Sequence, residues 1–282
     1  MYCSKLILSI LILLSFILVN AQSSQPKGKL FIIGGGDRAP ALMRSLMNTA
    51  SMKENDYVVV LPMSSEDPDT SFTYIKNDLE LACTNTIVNF NFTKDLTEKK
   101  TWLDSLEKAK LIFITGGDQD RFMKIVLNTP VYKSIHRAYK NGATIAGTSA
   151  GAAVMSKYMI TGNELTDTTY RSTFRKIVDK NIEIKVGLGL LPNAVIDQHF
   201  LVRSRYNRLI SALAKYPSLS CIGIDEETAI VVSGNKIRVA GNSQVIRMRK
   251  PMNIKITPGG LIKLADMEFS MFTEGDIFFL DK

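Results

Sequence analysis

One serine stands in a setting that suits nucleophilic chemistry. Gly147-Thr148-Ser149-Ala150-Gly151 follows the short apolar run Thr144-Ile145-Ala146 and precedes the small residues Ala152-Ala153-Val154-Met155. A strand that turns sharply into a helix projects its central side chain, and glycines two residues before and after it relieve the crowding of that turn. The helix N-terminus favours developing negative charge, and the Ala150 N–H is a candidate oxyanion donor. A serine hydroxyl needs a base, and the chain has two histidines. His136 falls in a helical pattern beside Lys133, Arg137 and Lys140, which predicts a solvated basic face. His199 lies just past the apolar strand Ala194-Val195-Ile196, in Asp197-Gln198-His199-Phe200, at a strand end of the kind that builds α/β sites. His199 is the candidate base. The imidazole in turn needs an orienting acid. Glu226, at the end of another strand, is the candidate, Glu164 its rival and Asp167 a weaker third; spacing alone does not rank them firmly.

Two further groups could serve a substrate. Gly116-Gly117-Asp118-Gln119 follows the strand Leu111–Thr115, so the Gly117 N–H can face an oxyanion while the Gln119 side chain is free to bond substrate. Arg203, Arg205 and Arg208 trail His199. On a regular helix Arg205 and Arg208 lie about 60° apart and Arg203 about 140° from Arg208, so the three converge only if the segment begins as a non-helical turn. Such guanidiniums suit recognition of a carboxylate. Gly34-Gly35-Gly36 does not satisfy the spacing of a dinucleotide loop, which excludes a nicotinamide reading. Two histidines and three cysteines cannot make a Cys/His zinc cluster at any usual spacing, so no metal is expected.

The elements that must position these residues are legible as apolar runs and helical spacing. Buried strands are predicted at 30–33, 57–61, 86–90, 111–115 and 144–146. Helices are predicted between them over 39–50, 70–81, around Trp102, and over 120–127 and 131–141. Continuous apolar strands alternating with amphipathic helices mean a parallel sheet covered on both faces. The fold class is therefore α/β, doubly wound, mostly parallel. Residues 159–185 are polar and weakly patterned, a long loop or hairpin. A strand delivers His199, residues 201–215 have helical spacing, and the rest, from Ser220, is a β-rich extension.

The 282 residues are 45% hydrophobic and 22% charged, ordinary globular composition that excludes wholesale disorder. Lys5, the apolar run Leu6–Val19 and the small residues up to Ala21 read as a secretory signal spanning 1–21, followed by a single domain over 22–282. Its removal takes Lys5 and Cys3 away, leaving 34 basic against 27 acidic side chains and Cys83 and Cys221, expected as buried free thiols. A secreted or periplasmic destination follows, with no membrane association after cleavage. The basic residues are dispersed without an aromatic-basic motif, so nucleic acid is a poor partner despite a pI of 9.3. A homodimer is compatible with the sequence, which does not specify it.

Taken together, these blocks resemble the cyanophycinases, within the serine peptidases that also include dipeptidase E. The resemblance rests on Phe31-Ile32-Ile33-Gly34-Gly35-Gly36, Phe113–Gln119, Gly147–Ala152, Asp197-Gln198-His199-Phe200 with the three arginines, and Gly223-Ile224-Asp225-Glu226. It implies a fold similar to class I glutamine amidotransferases, with Ser149 as nucleophile, His199 as base and an acid placed at Glu226. It also implies a pocket lined by Gln119, Asp197, Gln198, Arg203, Arg205 and Arg208 for a β-Asp-Arg unit, and no cofactor. Cyanophycin, a polyaspartate carrying arginine on its side-chain carboxyls, is the implied substrate, cleaved to β-Asp-Arg dipeptides through an acyl-enzyme. Another reading is an Asp-specific or isoaspartyl dipeptidase of the same fold, and a third is a non-catalytic binder of acidic peptides. Asn207 departs from the family pattern, where glycine is expected. An exported enzyme also departs from an intracellular store of polymer.

Overall fold

The computed structural model describes residues 25–281, apart from Thr168 and Tyr170; residues 1–21, expected as a secretory signal, lie outside the described residues. The first half alternates strand and helix. In order come β1 (Lys29–Ile33), α1 (Pro40–Ala50), β2 (Tyr57–Leu61), α2 (Pro68–Glu80), β3 (Thr86–Asn89), α3 (Lys100–Lys108), β4 (Leu111–Ile114), α4 (Gln119–Val126), α5 (Pro130–Asn141), β5 (Thr144–Thr148) and α6 (Ala150–Ala153). Three of these helices open on Pro40, Pro68 and Pro130, where a missing N–H costs nothing because the first helical N–H has no intrahelical partner.

The second half is richer in strands: β6 (Tyr158–Glu164), β7 (Ile182–Val186), β8 (Ala194–Gln198), α7 (Tyr206–Lys215), β9 (Ser220–Ile224), β10 (Thr228–Ser233), β11 (Lys236–Gly241) and β12 (Val245–Met252). The short pair β13 (Lys255–Ile256) and β14 (Ile262–Lys263) precedes β15 (Asp266–Phe272) and β16 (Ile277–Phe279).

The main sheet has eight strands in the order β16-β11-β10-β1-β5-β4-β2-β3. Its five strands from β1 to β3 pair in parallel, and β10, β11 and β16 extend it antiparallel from β1. Along β1, Leu30 and Ile32 enter one apolar cluster while Phe31 and Ile33 enter the other, on the opposite face. That is why β1 reads as an unbroken apolar run. Each such side chain is worth roughly 1.5–3 kcal/mol of burial, so the two-sided core holds β1 firmly in place.

Two features differ from the sequence expectation. The strand that delivers His199, β8, belongs to a second sheet of order β15-β12-β9-β8, not to the main one. The helix expected over 201–215 begins only at Tyr206, and residues 201–205 form turns. The segment 159–185, expected as a long loop or hairpin, contains the antiparallel pair β6–β7, in line with the hairpin alternative. Two residues also sit differently. Cys221 is buried but Cys83 is only half-buried, and both are free. His136 is not on a solvated face: it is half-buried against the Tyr132 ring, its Nε2 2.8 Å from the Leu188 carbonyl oxygen. Among the described residues, no helix is long and apolar enough to cross a membrane.

Candidate active site

The carboxyl end of β1 sets the site. Its last carbonyl, Ile33, accepts a hydrogen bond from the Ser149 N–H at 3.1 Å. The next carbonyl, Gly34, accepts from the His199 N–H at 2.7 Å, and the next, Gly35, from the Glu227 N–H at 2.9 Å. Three consecutive carbonyls thus hold the backbones of the serine, the histidine and the residue after the glutamate.

Ser149 sits between β5 and α6 at φ 53° and ψ −110°, a conformation that costs a non-glycine residue of order 1–3 kcal/mol. The turn closes only because its flanks lack side chains. A Cβ on Gly147 would strike the Gly151 carbonyl oxygen, and one on Gly151 would strike the Ile114 carbonyl oxygen. The Ser149 hydroxyl then faces His199, with Oγ to Nε2 at 2.8 Å. On the far side of the imidazole, Nδ1 lies 2.5 Å from Glu226 Oε1. A carboxylate can only accept, so Nδ1 carries the proton and Nε2 is left to accept the serine O–H. Burial holds the His199 pKa below its ordinary value; the Glu226 hydrogen bond pulls it back up, and the Arg203 and Arg205 charges push it down again. The imidazole is neutral at pH 7, as a general base must be.

The Gly116–Gly117 turn packs beside the serine, since a Cβ on Gly116 would lie 3.4 Å from that of Ser149. Asp118 caps α4, its Oδ1 accepting from the Asp120 and Arg121 N–H groups at 2.7 and 3.3 Å, and this fixes where the turn ends. Ala150 is the first residue of α6, so its N–H has no partner within that helix. Gly117, Gln119, Ser149, Gln198 and His199 line one cavity of about 330 Å³ together with Arg203, Arg205 and Arg208.

The arginines converge because the chain turns at 200–205 before it coils. Asp225 holds that turn: its Oδ1 accepts from the N–H groups of Leu201 and Val202 at 2.9 and 3.1 Å, and the Ser243 hydroxyl donates to its Oδ2 at 2.7 Å. Sequence reasoning does not single out Asp225, although its place beside Glu226 is the one signal available. Two of the arginines are engaged within the chain. Arg208 forms a bidentate pair with the buried Asp197, and Arg205 donates to the Gln198 backbone and side-chain oxygens. Asp197 is therefore not a wall of the cavity but stands behind it and fixes Arg208. Arg203 is half-buried and makes no ion pair among the described residues. Gln119 is likewise less free than expected, since its Nε2 donates to the Ile160 and Thr161 carbonyls at 2.9 and 2.7 Å. That leaves its amide oxygen for a ligand. Asn207, in the first turn of α7, donates to the Phe174 carbonyl at 2.7 Å and so ties the helix to the 165–181 connection.

Comparisons with known proteins place the chain in a family. The family model described as Peptidase family S51 matches residues 30–240. The chain belongs to peptidase family S51. It is 34% identical over 210 residues to the cyanophycinase of Trichormus variabilis, covering 73% of this chain and 67% of the relative. It is 30% identical over 231 residues to the cyanophycinase of Thermosynechococcus vestitus, covering 79% and 69% respectively. The crystal structure of a peptidase from an acI-B1 Actinobacterium shares the fold, at a TM-score of 0.66 and 19% identity over 91% of this chain and 98% of that one.

As a cyanophycinase-like S51 peptidase the protein is a hydrolase, and the rivals for the acid can be placed. Glu164 accepts from Asn181 at 2.8 Å and Asp167 pairs with Arg171 at 3.2 Å; only Glu226 of the three touches His199. Among the described residues, no group of three or more His, Cys, Asp or Glu side chains could hold a metal ion.

Proposed function

We propose that this S51 peptidase hydrolyses the polyaspartate backbone of cyanophycin to β-Asp-Arg dipeptides, through an acyl-enzyme on Ser149. The observation that carries the reading is the unbroken relay from Ser149 Oγ through the His199 ring to Glu226, at 2.8 and 2.5 Å. Ser149 Oγ attacks the aspartyl carbonyl carbon while His199 Nε2 takes the hydroxyl proton, and Glu226 stabilises the imidazolium. The Gly117 and Ala150 N–H groups hold the oxyanion. Collapse breaks the C–N bond, and His199 returns the proton to the departing amine. Water, deprotonated by the same nitrogen, then cleaves the ester and restores the serine.

The substrate class is supported by the positive wall of the cavity, which Arg203, with no ion pair among the described residues, lines together with Arg205 and Arg208. A free carboxylate beside the scissile bond, which every β-Asp-Arg unit carries on its arginine, is what such a wall takes. Export through the signal over residues 1–21 belongs to the same proposal, with Gln22 as the first mature residue. The test is digestion of purified cyanophycin with product identification, wild type beside Ser149→Ala. The serine variant should release no β-Asp-Arg. Release at an unchanged rate overturns the mechanism, and turnover of isoaspartyl dipeptides with none of the polymer shifts the substrate to the smaller class.

A further inference from the structure

Ser149 and His199 are shared by two cavities. The first is the arginine-lined one. The second, about 260 Å³, lies on the other side of the two residues, against the Gly35–Gly36 turn, Thr148 and the face of α2 that carries Ser71, Tyr74 and Ile75. A peptide that presents its carbonyl to Ser149 must occupy both sides of the reacting bond. The oxyanion donor Gly117 and the three arginines line the first cavity, so the acyl part belongs there. The second is bounded by Gly35, which packs so closely on the His199 ring that a Cβ there would overlap it. With the acyl part in the first cavity the leaving group falls to this side, where His199, which lines both cavities, can return the proton to the departing amine.

We infer that this second cavity is the leaving-group subsite and that Arg38 there reads a carboxylate on the leaving residue. The inference rests on the serine-peptidase reading proposed above. Arg38 lines the cavity with its side chain 18% exposed. Its Nε donates to Asp78 Oδ2 at 2.7 Å and its Nη1 to the Gly36 carbonyl at 3.1 Å. These two bonds fix the guanidinium plane and leave Nη2, with no partner among the described residues, for a ligand. The cavity has a second unmet group. Thr148 is 4% exposed and lines it, yet its Oγ1 has no hydrogen-bond partner among the described residues. A buried hydroxyl left so costs stability unless something occupies it. Tyr74, 66% exposed although large and aromatic, forms the outer wall. The subsite therefore suits an aspartyl or β-linked arginyl residue, each of which carries a carboxylate, and disfavours a neutral one.

The test compares two synthetic substrates that share an Asp(β-Arg) acyl unit and differ only in the leaving residue, aspartic acid amide or the isosteric asparagine amide. A charge-assisted pair predicts a kcat/KM ratio of about tenfold or more in favour of aspartate for the wild-type enzyme. In Arg38→Gln the ratio falls to about one, and Arg38→Lys restores part of it. A second measurement needs no variant. The same two amides, added as acceptors during turnover, compete with water for the acyl-enzyme, and the acidic amide should give the larger share of aminolysis. Equal rates on both substrates, or an aspartate preference that survives Arg38→Gln, overturns the inference while leaving the peptidase reading intact. No turnover of either by the wild-type enzyme overturns both.

Discussion

Replacing Glu226 by glutamine separates two ways in which an acid can serve a histidine. The carboxylate lies 2.5 Å from His199 Nδ1 and its side chain is 28% exposed. If it contributed charge alone, a charge-assisted hydrogen bond of about 1.5–3 kcal/mol would be lost, partly screened by that exposure, and kcat would fall about 10- to 100-fold. The geometry demands more. A glutamine can present its N–H to Nδ1, which puts the ring proton on Nε2, where it points at Ser149 Oγ instead of accepting from it. In a serine–histidine–acid relay the wrong tautomer costs about 10⁴ in kcat, near 5 kcal/mol of barrier. Glu226→Gln should therefore lose about 10³- to 10⁴-fold in kcat with KM little changed, read as dipeptide release by mass spectrometry, and its thermal unfolding should match the wild type. Glu164→Gln, in the same assay, should stay within about twofold, because Glu164 is bonded to Asn181 and not to His199. A loss of only tenfold in Glu226→Gln, or equal losses in both variants, refutes the tautomer argument.

Three other expectations follow from burial. With the His199 pKa depressed by burial, the acid limb of kcat/KM should have its midpoint below the ordinary histidine value of about 6.5, and a midpoint above 7 would contradict the neutral-base assignment. His136 is shifted down too, by burial against the opposing Leu188 bond, so both histidines contribute stability that is present above about pH 6.5 and lost as pH falls through their lower folded values; urea midpoints at pH 5 and 7.5 measure it. Arg208→Ala should destabilise the fold by about 3–5 kcal/mol, since it strands the Asp197 carboxylate in a fully buried place, and a loss under about 1 kcal/mol in denaturant unfolding would show that the pair is not structural.

What the sequence disclosed divides along a physical line. The parallel core was legible because β1, β2, β4 and β5 are covered on both faces and so read as unbroken apolar runs. Ser149 was legible because only glycine fits at positions 147 and 151, and that leaves a pattern in the letters. The requirement that the arginine segment open as a turn was also legible from helix angles, and residues 201–205 are turned. Hidden from the sequence were pairings that depend on distant elements. Nothing local says that β8 joins β9 and β12 in a second sheet, that Gln119 gives its amide to the Ile160 and Thr161 carbonyls, or that two arginines are held by Asp197 and Gln198. His136 misled because its charged neighbours suggest solvent, whereas the Leu188 carbonyl that covers it comes from 52 residues away. Strand β15 does not stand out within the β-rich extension, because Asp266-Met267-Glu268-Phe269-Ser270-Met271-Phe272 alternates polar with apolar residues and offers no apolar run.

The same line accounts for which parts of the relay are rigidly specified. β1 pairs with β5 in parallel as far as Ile33 opposite Thr148, so the bond from Ser149 to the Ile33 carbonyl is one more rung of that ladder. On its other edge β1 pairs with β10 as far as Ile33 opposite Ala229, and the bonds of Gly34 with Thr228 and of Gly35 with Glu227 continue it. Nucleophile and acid are thus placed by the registers of two ladders that share one strand. A one-residue slip in either would exchange the side chains that β1 sends into its two cores and mispack both, so their spacing is as secure as the core itself. The base is placed differently. His199 arrives from the second sheet and meets β1 through the Gly34 carbonyl alone, at φ 48°, with Asp225 bracing the turn beyond it. Behind it β8 pairs with β9 as far as Gln198 opposite Ile224, and the Phe200 N–H reaches the Ile224 carbonyl at 3.3 Å, so the imidazole is placed by the register of the second sheet together with Asp225 and the fit of Gly35 beneath the ring. The relay is therefore built across two sheets: the ladders of β1 fix the serine and the glutamate, and the β8–β9 ladder of the second sheet, joined to β1 through the Gly34 carbonyl, carries the histidine that must move protons between them.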